Sequence, residues 1–451
     1  MLYNFFKAIF KFAIRTYFSE IQIRNEENIP LAGPVILLPN HRSAFMDPIV
    51  VAAFSKRKVY FLARGESFKK PFMAKLLGTL NAIPIYRKDK SPDDMSKNED
   101  TFEYCFQMLE KNGVLVLFPE GASQSKPILL PLKTGAARIA LGAEAQNDFS
   151  LNIQLIPIGI NYTNPHHFQS KLFLNVGKPV TLLQYKDSYK VDPIKTVQNL
   201  TAEIEIELRN RVVVVDDTRW QDLTNKIEKI VHTDLIRFGI KKEGNANWFL
   251  ARKDIAGTID YFKKEKLDVL ESIEQKVHRY FSITNLLSYD KNSSNALKVN
   301  HILDSNPVVL TLYFLLGFPL FVCGLTLNIL PYLLTNFLAK ILVQKTDFYG
   351  SIILVLGLLL FSINGFLLSW FVYHTTHNII IAVSFLFLFT TLGIFTFTYY
   401  NKSKQWLSNL KLRIIGLRKK SLVDSLAEER EQLLALFKRG HDEFIDNSKI
   451  N

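Results

Sequence analysis

The chain has 451 residues, enough for about two or three folded units, and it carries a formal net charge of +13. A positive balance of this size indicates anionic partners, and composition alone does not choose among nucleic acid, anionic lipid and phosphorylated substrates. With only two cysteines, a disulfide framework and a cysteine-based zinc site are excluded, and the chemistry is expected to face a reducing compartment.

The segment 1–22 has the pattern of an amphipathic helix lying on a membrane surface. Lys7, Lys11 and Arg15 recur every four residues and therefore share one helical face. Basic residues interrupt the apolar run throughout, which is not the pattern of a secretory signal. We predict an interfacial helix, with packing on its own domain as the alternative. Apolar side chains cover most of the remaining surface: Phe5, Phe6, Ile9, Phe10, Phe12 and Ile14.

Residues 23–192 are predicted to form an α/β domain with a mixed, largely buried sheet. From about residue 30 to 180, short β-branched apolar runs alternate with helical stretches, which is typical of strands enclosed by helices. The runs include PVILLPN, VYFLAR, GVLVLFPEG and IQLIPIGINY. Polar residues at the strand ends are the expected carriers of chemistry. Residues 193–304 are charged and helical in character, and we interpret them as a connector.

Residues 305–401 are predicted to be a transmembrane region. Two stretches lack Asp, Glu, Lys and Arg, one from Ser305 to Ala339 and one from Phe348 to Asn401, and each exceeds the roughly 20 residues that cross a bilayer. The second stretch is interpreted as a helical hairpin around the polar break HTTHN. The first contains Pro319 and Pro331, so it is either one kinked span or a re-entrant pair.

Residues 402–451 are predicted to form a basic, helical, cytoplasmic tail, because positive charge beside a span favours the cytoplasmic side. If the α/β domain is also cytoplasmic, the number of crossings must be even, which favours the hairpin plus a re-entrant segment. We therefore predict an integral membrane protein with a cytoplasmic catalytic domain, in a bacterial inner membrane rather than an endoplasmic reticulum. The basic residues near the last span are Lys402, Lys404, Lys411, Arg413, Arg418, Lys419 and Lys420.

His41 and Asp47 stand directly after the apolar run VILLP, where a buried strand emerges into a loop. An imidazole titrates near pH 6.5 in model peptides, at about the right value for removing a proton from an attacking hydroxyl. A neighbouring carboxylate would orient the ring and stabilise its charged form. Taken alone, a pair with this spacing more often belongs to a structural histidine.

Three further segments follow the His-Asp pair in order, and each is predicted to end an apolar strand: IPIYR at 83–87, LFPEG at 117–121 and IPIG at 156–159. Together with NHRSAFMD, they resemble the four ordered blocks of the glycerolipid acyltransferase superfamily, which includes glycerol-3-phosphate and lysophosphatidate acyltransferases. The resemblance covers about residues 30–180. It implies that His41 is the general base, that Asp47 orients it, and that Arg87 helps to hold the acceptor phosphate.

The resemblance also implies roles for the later blocks. Gly121 lets the backbone turn around the acceptor, Glu120 fixes the acceptor hydroxyls or the loop itself, and Pro157 shapes the acyl-chain side. Lys126 and Lys133 are interpreted either as positive charge for a phosphate or carrier, or as solvated surface lysines.

Two features depart from the commonest pattern of the superfamily. Five residues rather than four separate His41 from Asp47, so their contact requires a bulge or looser loop. The arginine often found two residues after the third-block glycine is replaced by Ser123. Both features resemble the fungal-type acyltransferases that use glycerol 3-phosphate and dihydroxyacetone phosphate.

The expected function is transfer of a fatty acyl group from acyl-CoA or acyl-carrier protein to glycerol 3-phosphate. Dihydroxyacetone phosphate is an additional candidate acceptor. No metal or cofactor is expected beyond the acyl donor, and no nucleic acid is expected as a partner. A 1-acylglycerol-3-phosphate acyltransferase is the close alternative, since both acceptors present a phosphate and a free hydroxyl. A non-catalytic membrane lipid-binding scaffold is the alternative from another class.

Overall fold

The computed structural model describes residues 2–86, 96–232, 234–238, 247–287, 307–418 and 420–448. The chain divides into two compact units. The first, called the sheet unit, comprises Met1–Val214 and Val343–Leu354. The second, called the helical unit, comprises Val215–Leu342 and Val355–Asn451.

An eight-stranded sheet forms the centre of the sheet unit, in the order β1-β7-β6-β2-β5-β3-β4, with β8 paired to β6. β6 pairs antiparallel with β7 and β8, and the other pairs are parallel, which confirms the predicted mixed sheet. The strands are β1 Glu20–Arg24, β2 Val35–Pro39, β3 Tyr60–Arg64, β4 Ala82–Ile85, β5 Val114–Val116, β6 Gln154–Tyr162, β7 Lys171–Val176 and β8 Val180–Thr181.

Helices cover this sheet and complete its core. Every residue of β2 is buried, as expected for a central strand with helices on both faces. Small residues such as Ala136 and Ala140 allow the fifth helix to approach the sheet closely, beside Ile36 and Leu115. The helices are α1 Leu2–Tyr17, α2 Met46–Phe54, α3 Pro71–Thr79, α4 Lys97–Glu110, α5 Gly135–Gln146, α6 Lys186–Val191 and α7 Pro193–Arg209.

The sheet order brings three chain segments to one edge. β2 lies between β5 and β6 and runs parallel to both, with Leu37 opposite Val116 and Pro39 opposite Ile158. The carboxyl ends of parallel strands meet at the same edge of a sheet, where ligands of open α/β folds bind. The residues that follow β2 and β5 therefore lie beside the second half of β6.

α1 uses part of its basic face to contact its own domain. Lys7 Nζ donates to the carbonyl of Ser55 at 2.5 Å, and the Lys11 ammonium lies 5.9 Å from the centre of the Phe54 ring. Partial burial lowers the pKa of Lys7. The helix therefore packs on its domain while leaving an apolar surface for a membrane, whose contact stays a prediction. The exposed large apolar residues of α1 are Leu2, Phe5 and Phe12.

Among the described residues, the helical unit contains four amphipathic or charged helices and three long apolar ones. In the part of the chain that the structure describes, three helical segments are long and apolar enough to cross a membrane, at 311–342, 346–376 and 379–404. The helices are α8 Thr218–Val231, α9 Asn247–Glu265, α10 Leu267–Leu287, α11 Pro307–Leu342, α12 Tyr349–Thr376, α13 Ile379–Arg418 and α14 Lys420–Ser448, and α12 begins in the sheet unit.

The first apolar stretch is one continuous helix with Pro319 and Pro331 inside it, rather than a re-entrant pair. Its 36 residues correspond to about 54 Å at 1.5 Å per residue, well beyond a hydrocarbon core of about 30 Å. The predicted arrangement was a hairpin plus a re-entrant segment. The described residues instead contain three candidate spans. The hairpin itself is present, because His377 and Asn378 separate α12 from α13.

α11 and α13 pack antiparallel through glycine and aromatic residues. The hydroxyl of Tyr399 donates to the carbonyl of Phe314 at 2.7 Å. A Cβ on Gly324 would lie 2.8 Å from the carbonyl oxygen of Leu392, so a side chain there would force the helices apart. Small residues at such crossings let apolar helices associate closely.

Candidate active site

The loop after β2 is fixed to β6 by the side chain of Asn40. Its amide group donates to the carbonyl of Ile160 at 3.2 Å, and its oxygen accepts the amide of Ile160 at 2.6 Å. Asn40 is buried, where a paired amide of this kind rigidifies the chain. The next residue, His41, is therefore held at the sheet edge.

His41 and Asp47 are in direct contact. His41 Nδ1 lies 2.8 Å from Asp47 Oδ2, and the side chain of Asp47 is fully buried while that of His41 is 15% exposed. The His41 ring also stacks on Phe118, with ring centres 4.2 Å apart. The loop folds back far enough to span the five intervening residues, so the longer spacing does not prevent the contact.

Asp47 accepts hydrogen bonds from three donors. Oδ2 accepts from His41 Nδ1 and, at 2.7 Å, from the amide of Ser43, while Oδ1 accepts from the hydroxyl of Tyr162 at 2.6 Å. Burial, and secondarily the neighbouring Asp47, raises the pKa of Tyr162 well above its ordinary value, so its hydroxyl keeps its proton and remains a donor. Sequence reasoning missed Tyr162, whose one signal is a hydroxyl at the end of an apolar strand.

This contact set determines what the imidazole can do. A carboxylate that accepts a hydrogen bond from Nδ1 requires the proton of the neutral ring to reside there. The other nitrogen, Nε2, is then an acceptor that can take a proton from a hydroxyl. The arrangement suits a general base whose charged form is stabilised by the carboxylate behind it.

Glu120 braces the loop that carries His41. Its Oε1 accepts the amide of His41 at 2.6 Å, and its Oε2 accepts the amide of Leu130 at 2.9 Å. The residue is buried, so its contacts favour loop fixation, one of the two roles that the resemblance implies. Gly121 closes the turn by donating its amide to the carbonyl of Phe118, with a φ of +69° that favours glycine.

Replacing Glu120 by glutamine is expected to lower activity by about tenfold or more, because the loop around His41 loses its fixed position. Glutamine has one acceptor oxygen for two amide donors, so one buried N–H would remain unpaired, which costs about 1–3 kcal/mol. Steady-state kinetics and thermal unfolding of the variant in detergent would measure both effects. Wild-type activity in the variant would contradict the bracing role.

The same substitution tests the titration of Glu120. Burial raises the pKa of this carboxyl from 4.5 to about 7. Because the pKa is higher in the folded state, its contribution to stability is full below about pH 4.5 and is lost as the pH rises through about 7. Unfolding curves between about pH 5 and 8 should therefore show a decline in the wild type that the glutamine variant lacks. Parallel curves would exclude this assignment.

The other predicted site residues are two exposed lysines, one arginine outside the described residues and one proline inside a strand. Lys126 and Lys133 are exposed, and the backbone amide of Lys133 donates to the carbonyl of Pro119 at 2.7 Å. Arg87 lies outside the described residues. Pro157 lies in the interior of β6, opposite Leu38, so the expectation that this block ends a strand is wrong. β6 continues through Gly159 because antiparallel pairing with β7 extends to Tyr162.

The loop that carries His41 is hydrogen-bonded to the loop that follows Gly121. The amide of Gln124 donates to the carbonyl of His41 at 2.9 Å. The guanidinium of Arg42 donates to the carbonyl of Ser125 at 3.0 Å. The segment that replaces the arginine-bearing part of the third block is therefore packed against the His41 loop.

The two cysteines do not suit a covalent mechanism. Cys105 is buried in the core of the sheet unit, and burial raises the pKa of its thiol to about 12, which keeps it in the unreactive protonated form. Cys323 lies on α11, within a candidate membrane span. The described ring contacts of His41 are with Asp47 and Phe118, so the geometry suits a base that acts directly on the acceptor.

Residues 20–161 match a family model described as Acyltransferase. The chain is 37% identical to glycerol-3-phosphate O-acyltransferase 2 of Saccharomyces cerevisiae over 108 residues, which are 24% of this chain and 14% of that protein. It is 24% identical to glycerol-3-phosphate O-acyltransferase 1 of the same yeast over 266 residues, covering 40% of this chain and 34% of that protein.

Two further proteins are also similar to this chain. An uncharacterized acyltransferase of Schizosaccharomyces pombe is 23% identical over 343 residues, covering 57% of this chain and 50% of that protein. The crystal structure of the 1-acyl-sn-glycerophosphate acyltransferase from Thermotoga maritima is 20% identical, with a TM-score of 0.34, covering 45% of this chain and 77% of that one. The chain spans half or less of the length of these three fungal relatives. The matched residues 20–161 contain His41, Asp47 and Glu120, so the described site lies in the part of the chain that is similar to this family.

Proposed function

We propose that this chain is a membrane-associated O-acyltransferase that moves a fatty acyl group from a thioester donor to a hydroxyl of glycerol 3-phosphate, in phospholipid biosynthesis. The observation that carries the proposal is the contact between His41 and a fully buried Asp47, inside the segment that matches the acyltransferase family. Bracing of the His41 amide by Glu120 supports it further, because a base must be held in one place to act.

The proposed reaction is a direct transfer. His41 Nε2 takes the proton of the acceptor hydroxyl as its oxygen attacks the carbonyl carbon of the thioester. The tetrahedral intermediate collapses with cleavage of the carbon–sulfur bond, and the imidazolium returns its proton to the departing thiolate. Asp47 stabilises the positive charge that the ring carries between these two steps.

The choice of glycerol 3-phosphate rests on the names of the two Saccharomyces cerevisiae relatives, and dihydroxyacetone phosphate and lysophosphatidate are the competing acceptors. The net charge of +13 suits anionic acceptors and the anionic acyl donors acyl-CoA and acyl-carrier protein. Arg87, Lys126 and Lys133 are proposed to supply positive charge to these ligands, and Gly121 and Pro157 to shape the site.

The three apolar helices suit an enzyme whose product enters a bilayer. We place the tail that begins with Lys402 and Lys404 on the cytoplasmic side, because positive charge beside a span favours that side. The cytoplasmic catalytic domain that the sequence predicts then requires that two of the three candidate spans cross the bilayer completely. The assignment to a bacterial inner membrane rather than an endoplasmic reticulum stays a prediction.

The proposal is tested with the full chain purified in detergent and then placed in lipid nanodiscs. Palmitoyl-CoA or palmitoyl-acyl-carrier protein is supplied with glycerol 3-phosphate, dihydroxyacetone phosphate or 1-oleoyl-lysophosphatidate, and products are identified by mass spectrometry. We expect lysophosphatidate from glycerol 3-phosphate. Formation of phosphatidate alone would favour the 1-acylglycerol-3-phosphate acyltransferase, and acceptor binding without any product would favour the scaffold.

A further inference from the structure

The segment Val343–Leu354, called the strap, joins α11 to α12 in sequence but belongs to the sheet unit. The strap follows the candidate span 311–342, and its last residues are the first turns of α12, within the candidate span 346–376. Its described contacts are with the loop that carries the His-Asp pair, with the loop after Gly121 and with the loop after β6. A short connection between apolar helices therefore forms part of the region around the proposed active site.

The strap supplies a cap that α2 lacks. The first amides of a helix have no partner within the helix, and serine, threonine, aspartate or asparagine commonly caps them from the preceding position. Phe45 stands at that position in α2 and has no side chain that can cap. The hydroxyl oxygen of Ser351 instead accepts the amides of Phe45 at 3.1 Å and Met46 at 3.0 Å.

Further contacts fix the strap at both loops. The carbonyl of Asp347 accepts the amide of Ala44 at 3.2 Å, and its carboxylate accepts the hydroxyl of Ser123. The hydroxyls of Ser125 and Thr346 lie 3.3 Å apart. Three consecutive amides before Asp47, those of residues 44 to 46, thus donate to strap atoms.

The strap is also anchored to the loop that follows β6. The amide of Gly350 donates to His166 Nδ1 at 3.2 Å. Burial lowers the pKa of His166, which favours the neutral ring that can accept this bond. A Cβ on Gly350 would lie 2.9 Å from the carbonyl carbon of Pro165, so a larger residue would push the strap away.

We propose that the strap is a positioning element for the His-Asp pair, and that Ser351 is its positioning residue. Ser351 is fully buried and acts through the amides that precede Asp47, rather than on the substrate. Without its oxygen, the start of α2 loses the acceptor for two amides, and Asp47 is freer to move from His41. This inference rests on the proposed acyl transfer for its kinetic consequence.

The test is the replacement of Ser351 by alanine in the full chain. We expect kcat to fall about tenfold while KM for palmitoyl-CoA and for glycerol 3-phosphate stays within about twofold, because geometry rather than binding is disturbed. Ser351→Thr keeps the oxygen and should restore most of the activity. Ser369→Ala is the matched control, because Ser369 lies on the same helix and its hydroxyl has no hydrogen-bond partner among the described residues.

Amide hydrogen exchange tests the positioning role of the strap independently of the proposed acyl transfer. Ser351→Ala should speed amide exchange in a peptide that covers residues 43–47, whereas Ser369→Ala should leave it unchanged. If the wild type acylates none of the acceptors, the proposed function is wrong. The exchange rates of residues 43–47 still show whether the strap holds the start of α2. Wild-type exchange in the alanine variant, or a raised KM at unchanged kcat, would overturn the inference. Ser351→Cys, with a weaker acceptor, replaces the alanine variant if that one does not fold.

Discussion

Replacing His41 by alanine is expected to lower kcat for acyl transfer by at least about a thousandfold, since no base would remain to take the hydroxyl proton. The substitution also removes the ring that pairs with Asp47 and stacks on Phe118. The loop should nevertheless keep its shape, because Asn40 and Glu120 hold its backbone and not the ring. Steady-state rates with palmitoyl-CoA and glycerol 3-phosphate, in nanodiscs, measure the effect.

The control for this prediction is His278→Ala. His278 lies on α10 in the helical unit, and its side chain is about half exposed, so its loss should leave the rate unchanged. Thermal unfolding of both variants in detergent distinguishes lost chemistry from lost folding. A His41→Ala enzyme that is folded and still turns over at a wild-type rate would rule out His41 as the base.

The buried sheet was predictable because a strand that is buried on both faces appears in the sequence as a short run of consecutive apolar residues. A strand such as VILLP can be apolar at every position only where helices cover both of its faces. The site at the sheet edge was predictable for a related reason, since His41 follows the end of β2 at Pro39 and Glu120 follows the end of β5 at Val116 within a few residues. The fourth block was misplaced because the apolar run around Pro157 continues to Tyr162, and only pairing with β7 determines where β6 ends.

The residues that hold the His-Asp pair in place, Tyr162 and Ser351, were not predictable, because they act through contacts between distant parts of the chain. Tyr162 lies 115 positions from Asp47, and Ser351 lies 306 positions from Phe45. A single hydroxyl residue at a strand end or helix start resembles many others in the chain. One local sign was present: Phe45 stands where a capping side chain is preferred, so the cap of α2 had to come from elsewhere.

Conversion of Asp47 to asparagine is expected to lower kcat by about a thousandfold to ten-thousandfold, although the side chain keeps its size. Asp47 accepts from His41, Ser43 and Tyr162, whereas asparagine must turn an NH2 group toward at least one of them. If that group faces His41 Nδ1, the ring must carry its proton on Nε2, and this tautomer cannot accept a proton from the hydroxyl. The pH profile of kcat, measured beside the absolute rate, reports the change in the base.

The matched comparison for Asp47→Asn is Tyr162→Phe, which removes one donor to the carboxylate and leaves the contact with His41 in place. A neutral hydrogen bond contributes about 0.5–1.5 kcal/mol and one to a charged group about 1.5–3 kcal/mol, so the phenylalanine variant should lose far less activity than the asparagine variant. Equal losses would mean that Asp47 acts by general packing of the loop. A near wild-type rate for Asp47→Asn would mean that the imidazole needs no carboxylate to select its tautomer, and the catalytic reading of the pair would fail.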